Sequence, residues 1–114
     1  MPLYAAIIYT SDLDWTAPEQ AAEMGEYAEF GQAAAEIMRG GAALFPTSTA
    51  TTVRTSAKGG DVVVTDGPYA ETKEVLTGFF LLECDDLDEA VRLAAQIPAA
   101  WNGAVEVRPV IPMS

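Results

Sequence analysis

The stretch Thr77-Gly78-Phe79-Phe80-Leu81-Leu82-Glu83-Cys84, followed by Asp86-Leu87-Asp88-Glu89-Ala90-Val91, decides the fold class. Its first half reads as a strand apolar on both faces, with Phe80, Leu82 and Cys84 on one and Phe79 and Leu81 on the other. Asp86 with Glu89 then caps a helix whose stripe is Leu87, Ala90, Val91, Ala94 and Ile97. Pro98 and the pair Asn102-Gly103 end that helix, and Ala104 to Ile111 reads as a final strand closed by Pro112. A strand, a capped helix and a strand in succession form a β-α-β unit.

The same grammar appears at the other end of the chain. Leu3 to Thr10 is an apolar strand ended by Ser11, Asp12 and Asp14. Thr16, Pro18 and Glu19 predict a helix with Thr16 as N-cap, running to about Arg39 with Gly40-Gly41 as its left-handed end. Its expected stripe is Met24, Tyr27, Gly31, Ala34 and Met38, widened on one flank by Phe30 and Ile37, with Glu19, Glu23, Glu26, Glu29 and Glu36 towards the other side. Ala42 to Arg54 reads as an extended, Thr-rich segment bent by Pro46, Ser56 to Asp61 as a turn, and Val62 to Thr65 as a short strand.

This order predicts a single α+β domain over residues 1–114, a ferredoxin-like β-α-β-β-α-β sandwich with both helices on one sheet face. With Val62–Thr65 as third strand, Thr77–Cys84 becomes an extra one, supplied by an extended hairpin or by exchange at a dimer edge. The first strand and Thr77–Cys84 are apolar on both faces, so the sheet face away from the helices needs a cover. A second copy, sheet against sheet, is the expected one. In the last strand Val105, Val107 and Ile111 share one face, which leaves Glu106 and Arg108 pointing into that partner-covered layer or into solvent.

Composition narrows the function classes. The chain holds 6 Lys plus Arg against 17 Asp plus Glu, a net charge of −11, so no basic face exists to displace counterions from nucleic acid. The absence of histidine removes imidazole catalysis, Ser-His and Cys-His arrangements and His-ligated zinc. One cysteine excludes an internal disulfide and a cysteine-rich metal site. Cys84, at the end of an apolar strand, reads as a small core residue rather than a nucleophile. Leu3 to Tyr9 is about a third of a membrane span and lacks a basic flank, which points to the cytoplasm and away from a membrane. No phosphate-binding loop, dinucleotide fingerprint or calcium-loop spacing is present, so neither cofactor nor metal is expected.

Chemistry concentrates in Asp66-Gly67-Pro68-Tyr69-Ala70-Glu71-Thr72-Lys73-Glu74, three acids and a lysine after the strand ending at Thr65. Asp-Gly is a turn signal, and Pro68 bars Gly67 from the helical region. Two roles fit Asp66. Its carboxylate staples its own turn, or it faces a ligand as general base or polar anchor beside Lys73. Thr47, Ser48, Thr49, Thr51, Thr52 and Thr55 are candidates for a polar pocket wall, although threonine is also what an exposed strand favours.

Continued through Val75-Leu76-Thr77-Gly78-Phe79-Phe80, this segment resembles the signature of the DGPF-type proteins within the YciI-like (YCII-related) family. The resemblance extends over Ala50-Thr51-Thr52-Val53-Arg54, Asp86-Leu87-Asp88-Glu89-Ala90 and Val105-Glu106-Val107-Arg108-Pro109. It implies a ferredoxin-like fold, assembled as a homodimer of the dimeric α+β-barrel type. An Asp with a His has suggested an enzyme in that family, and fusions to sigma factors suggest a part in transcription initiation. This chain departs from the pattern twice: Tyr69 stands in place of Phe, and the His has no counterpart.

Three functions compete at this level. One is an unknown small molecule held in a polar pocket near Asp66–Glu74. Asp66 is its candidate catalytic group, and Arg54, Tyr69, Glu71, Lys73, Glu74, Glu106 and Arg108 are candidate ligand contacts. The second is an accessory domain acting on transcription through a protein partner, and the third is a dimer without chemistry of its own.

Overall fold

The computed structural model describes residues 1–113. Strand β1, Leu3–Ser11, alternates along its length: Tyr4, Ala6, Ile8 and Thr10 are buried, and Leu3, Ala5, Ile7 and Tyr9 half-buried. A strand that is apolar on both faces suits the middle of a sheet, and β1 lies there. It pairs antiparallel with Glu74–Glu83 on one side and Ala104–Pro109 on the other. Met38–Ala43 adds the remaining edge, antiparallel to Glu74–Glu83. Numbering the strands along the chain as β2 (Met38–Ala43), β3 (Thr51–Thr55), β4 (Val62–Asp66), β5 (Glu74–Glu83) and β6 (Ala104–Pro109), the sheet order is β2-β5-β1-β6. Helices α1 (Ala21–Ala33) and α2 (Leu87–Ala94) and the short α3 (Ala99–Asn102) follow in sequence. Phe30 and Ala34 from the α1 end, and Ala90, Ala94 and Ile97 from α2 and its exit, share one core with Tyr4, Ala6, Ile8, Leu82 and Cys84. The expected ferredoxin-like α+β architecture is present.

The extra strand has a definite place. The sheet's third strand is β5, whereas β3 and β4 pair only with each other, in register from Thr51 opposite Asp66 to Thr55 opposite Val62. The hairpin is thus an insertion between the second and third strands of the core motif. Reading Val62–Thr65 as the third sheet strand was wrong because valine-rich composition reports extended backbone, not the pairing partner. The hairpin leaves Val53, Val62, Val63 and Val64 at least 56% exposed. It also spreads the molecule to a radius of gyration of 16.0 Å, against about 13 Å for a compact chain of this length.

The first helix differs from expectation at both ends. The Thr16 N–H and hydroxyl donate to the Asp14 carboxylate at 2.9 and 2.6 Å, so Thr16 is not free to cap. The chain instead enters α1 through a single tight turn over Pro18–Gln20 with no side-chain cap. α1 stops at Ala33, and Gly40-Gly41 lies inside β2 rather than at a helix end. A Cβ on Gly41 would lie 2.7 Å from the Phe79 carbonyl oxygen and 3.1 Å from Phe80 Cδ1, so close strand approach explains the glycine. The expected stripe is largely the packed one: Ala34 is buried with the flanking Phe30, and Tyr27, Ile37 and Met38 pack beside them, while Met24 remains 38% exposed.

The second helix starts where the sequence put it. The Glu89 N–H donates to Asp86 Oδ1 at 2.9 Å, an N-cap worth about 1 kcal/mol. Ala90, Ala94 and Ile97 are buried, but Leu87 and Val91 are half exposed and lie at the margin of the stripe. Cys84 is fully buried in the core, and burial, with Glu89 second, pushes its thiol above the ordinary range. Val105 and Val107 pack against the same core. Glu106 and Arg108 are exposed, opposite Ile7 and Ala5 of β1.

Candidate functional site

The Asp66–Glu74 loop closes the inserted hairpin back onto the sheet. β4 ends at Asp66, and Gly67 takes a φ of +111°, a region that side chains disfavour. Its backbone is held on both sides: Gly67 N–H donates to the Ala50 carbonyl, and the Thr52 hydroxyl donates to the Gly67 carbonyl, each at 2.8 Å. The chain then crosses towards β5, where the Thr72 hydroxyl donates to the Glu74 carbonyl at 2.5 Å and Glu74 pairs with Ser11 at the end of β1.

Across from this loop, Asp12 leaves the end of β1 and accepts two hydrogen bonds from Thr47. The Thr47 N–H donates to Oδ1 at 2.9 Å and its hydroxyl to Oδ2. The hydroxyl bond, then the backbone bond, hold the Asp12 carboxyl below the ordinary range. Between the two walls lies a cavity of about 410 Å³, lined by Asp12, Thr47 and Ser48 on one side and by Gly67, Pro68, Ala70, Glu71, Thr72 and Val75 on the other. The lining holds two carboxylates and several hydroxyls, and no Lys or Arg. Such a wall accepts hydrogen bonds and favours hydroxyl or ammonium groups over anions.

The residues singled out in the sequence are distributed unevenly around it. Glu71 lines the cavity. Asp66 is exposed at the strand end, and its carboxylate makes no hydrogen bond or ion pair among the described residues, its own turn amides included. Arg54 lies over the Tyr69 ring with its guanidinium carbon 4.9 Å from the ring centre, a cation–π contact on the exposed hairpin. Lys73 and Glu74 are exposed beside the cavity without lining it. Arg108 is remote: it faces Ala5, whereas Ser11 at the loop end of β1 faces Glu74. Six residues of strand separate the two positions, about 20 Å at the usual rise. Glu106 faces Ile7, four residues of strand from Ser11, about 13 Å at the same rise. Among the described residues no group of three or more His, Cys, Asp or Glu could hold a metal ion.

Sequence reasoning treated Asp12 only as a strand terminator. Its partner lies 35 residues away, so no local pattern links them. Thr47 and Ser48 did carry a signal, as part of the Thr-rich run considered for a pocket wall.

A larger cavity of about 500 Å³ lies on the helix side of the sheet, between α1 and the β2 edge. Trp15 and Tyr27 line it and meet edge to face with ring centres 5.7 Å apart. Burial, then the Glu23 carboxylate, push the Tyr27 hydroxyl up to about 12; the Ala99 backbone opposes them, and Glu26 adds the least. No helix among the described residues is long and apolar enough to cross a membrane.

Comparison with known proteins identifies the family of the chain. The chain is 49% identical over 71 residues to R00369 of Rhizobium meliloti (strain 1021), a protein itself described as uncharacterized. That match covers 60% of this chain and 56% of the relative, so the chain spans a little over half the relative's length. The model of the YCII-related domain matches residues 3–114, nearly the whole chain. On that match the chain belongs to the YCII-related domain family.

Proposed function

We propose that this chain is a small-molecule-binding module whose ligand occupies the cavity between Asp12, Thr47 and Ser48 and the Gly67–Thr72 loop. The observation that carries the reading is the lining itself, in which the loop richest in chemistry in the sequence faces a second polar wall across about 410 Å³. That volume suits a metabolite-sized molecule. With Asp12 and Glu71 present and no cation in the wall, the ligand is a polyol, an amine or another hydrogen-bond donor. Glu71 is its principal contact, because both Asp12 oxygens already serve Thr47. Asp66, exposed and outside the lining, is given no part in the site.

The module works as a homodimer. The half-buried face formed by Leu3, Ala5, Ile7, Tyr9, Phe79 and Leu81, together with the exposed valines of the hairpin, supports this reading. Apolar surface of that extent is unfavourable in water, and a second copy removes it most economically. Light scattering at micromolar concentration is expected to give twice the chain mass. A monomer would turn the same surface into support for a protein partner, the reading linked to transcription.

A thermal-shift panel of amines, polyols and carboxylates, followed by calorimetry on the strongest binder, tests the site. Binding by a hydrogen-bond donor, lost in Glu71→Gln and weakened in Ser48→Ala, is the expected outcome. Binding confined to anions, or indifferent to both substitutions, contradicts it.

A further inference from the structure

We infer that the larger cavity, on the helix side of the sheet, is a second binding site, separate from the loop cavity, for a neutral and largely apolar small molecule. Its walls come from α1, from the loop carrying Trp15, and from the β2 edge, where Gly41 and Ala43 leave room beneath Met24 and Tyr27. The volume of about 500 Å³ lies within the range of small-molecule sites. Two features define the occupant. First, none of the chain's 17 acids or 6 Lys and Arg is in the lining, so a charged group buried there would find no counter-charge. Second, Glu23 and Glu26 are close enough to Tyr27 to act on its hydroxyl, so the Tyr27 side of the cavity repels anions. An uncharged aromatic or hydrocarbon body satisfies both. Trp15, itself 9% exposed, supplies a flat wall for it.

Two dyes with one ring skeleton separate these features: neutral N-phenyl-1-naphthylamine and its anionic sulfonated counterpart, 8-anilinonaphthalene-1-sulfonate. The measurement uses the full chain carrying Trp101→Phe, which leaves Trp15 as the sole indole of the original two. The neutral dye is expected to bind at micromolar concentration and quench Trp15 emission, with the sulfonate roughly tenfold weaker. Ala43→Leu and Ala28→Leu fill the cavity from opposite walls. Each is expected to weaken the neutral dye roughly tenfold, with circular dichroism reporting that the fold is retained. Ala28 is exposed on α1, so that variant remains informative if Ala43→Leu fails to fold. Glu23→Gln combined with Glu26→Gln is expected to narrow the gap between the dyes by strengthening sulfonate binding. No binding of the neutral dye up to its solubility limit overturns the inference. So does unchanged affinity in the filled variants, which would put the dye elsewhere on the molecule.

Discussion

Asp12 and Thr47, 35 residues apart, are joined by two hydrogen bonds that use both carboxylate oxygens. The pair ties the end of the central strand to the turn that precedes the inserted hairpin, and so sets one wall of the loop cavity. Because the bonds favour the charged form, the Asp12 carboxyl lies below its ordinary value. A lowered carboxylate contributes stability above its unfolded value of about 3.9, and that contribution disappears as pH falls through the folded value. The melting temperature of wild type is therefore expected to exceed that of Asp12→Asn at pH 7, and the difference to close in strongly acidic buffer. A difference that persists at pH 2 would assign the effect to packing.

Gly67 carries the turn after β4 at a φ of +111°. Gly67→Ala is expected to cost roughly 1–3 kcal/mol in urea unfolding, because a Cβ strains that backbone region. It should also displace the loop wall and weaken any ligand of the loop cavity. Gly25, in mid-helix with open space around it, is the control: Gly25→Ala should stabilise by about 1 kcal/mol. Equal effects at the two positions would remove the special role of Gly67.

Tyr27 gives an alkaline signature. Its hydroxyl is shut off from solvent without a full hydrogen bond among the described residues, and burial raises it to about 12. The folded state then holds a proton that the unfolded chain releases near pH 10, so stability falls as pH rises from about 10 to 12. Tyr27→Phe is expected to flatten that limb and to leave stability at pH 7 equal or slightly higher, since it removes an unsatisfied polar group. Ultraviolet titration of wild type should show one late-ionising tyrosine that the variant lacks. Superimposable alkaline unfolding curves would contradict this account of Tyr27.

What the sequence disclosed follows the range of each interaction. The Asp86 cap was legible because cap and helix lie within one turn, and β1, β5 and β6 were legible because their apolar patterns are local. Gly40-Gly41 was misread because glycine signals a helix end and a close strand crossing equally well. The only evidence for the second use lies in Phe79 and Phe80, far along the chain. The valines of β4 announce an extended segment, yet their pairing with β3 depends on a turn competing against the main sheet. The loop cavity was half visible: Glu71 stood in the acidic segment and Thr47 and Ser48 in the threonine run, while Asp12 joined them only through the fold. Arg108 entered the candidate list as a charge on the strand face away from the core, and the register of β1 and β6 places it about 20 Å along the strand from the loop.

Amide chemical-shift mapping with the strongest amine or polyol from the thermal-shift panel decides whether a ligand sits between Asp12 and Glu71. Saturable shifts are expected to concentrate at Thr47, Ser48, Gly67, Glu71 and Thr72, and to be lost in Glu71→Gln. Saturable shifts concentrated instead at Leu81 and Arg108 on the open sheet face, with the loop unmoved, would contradict it.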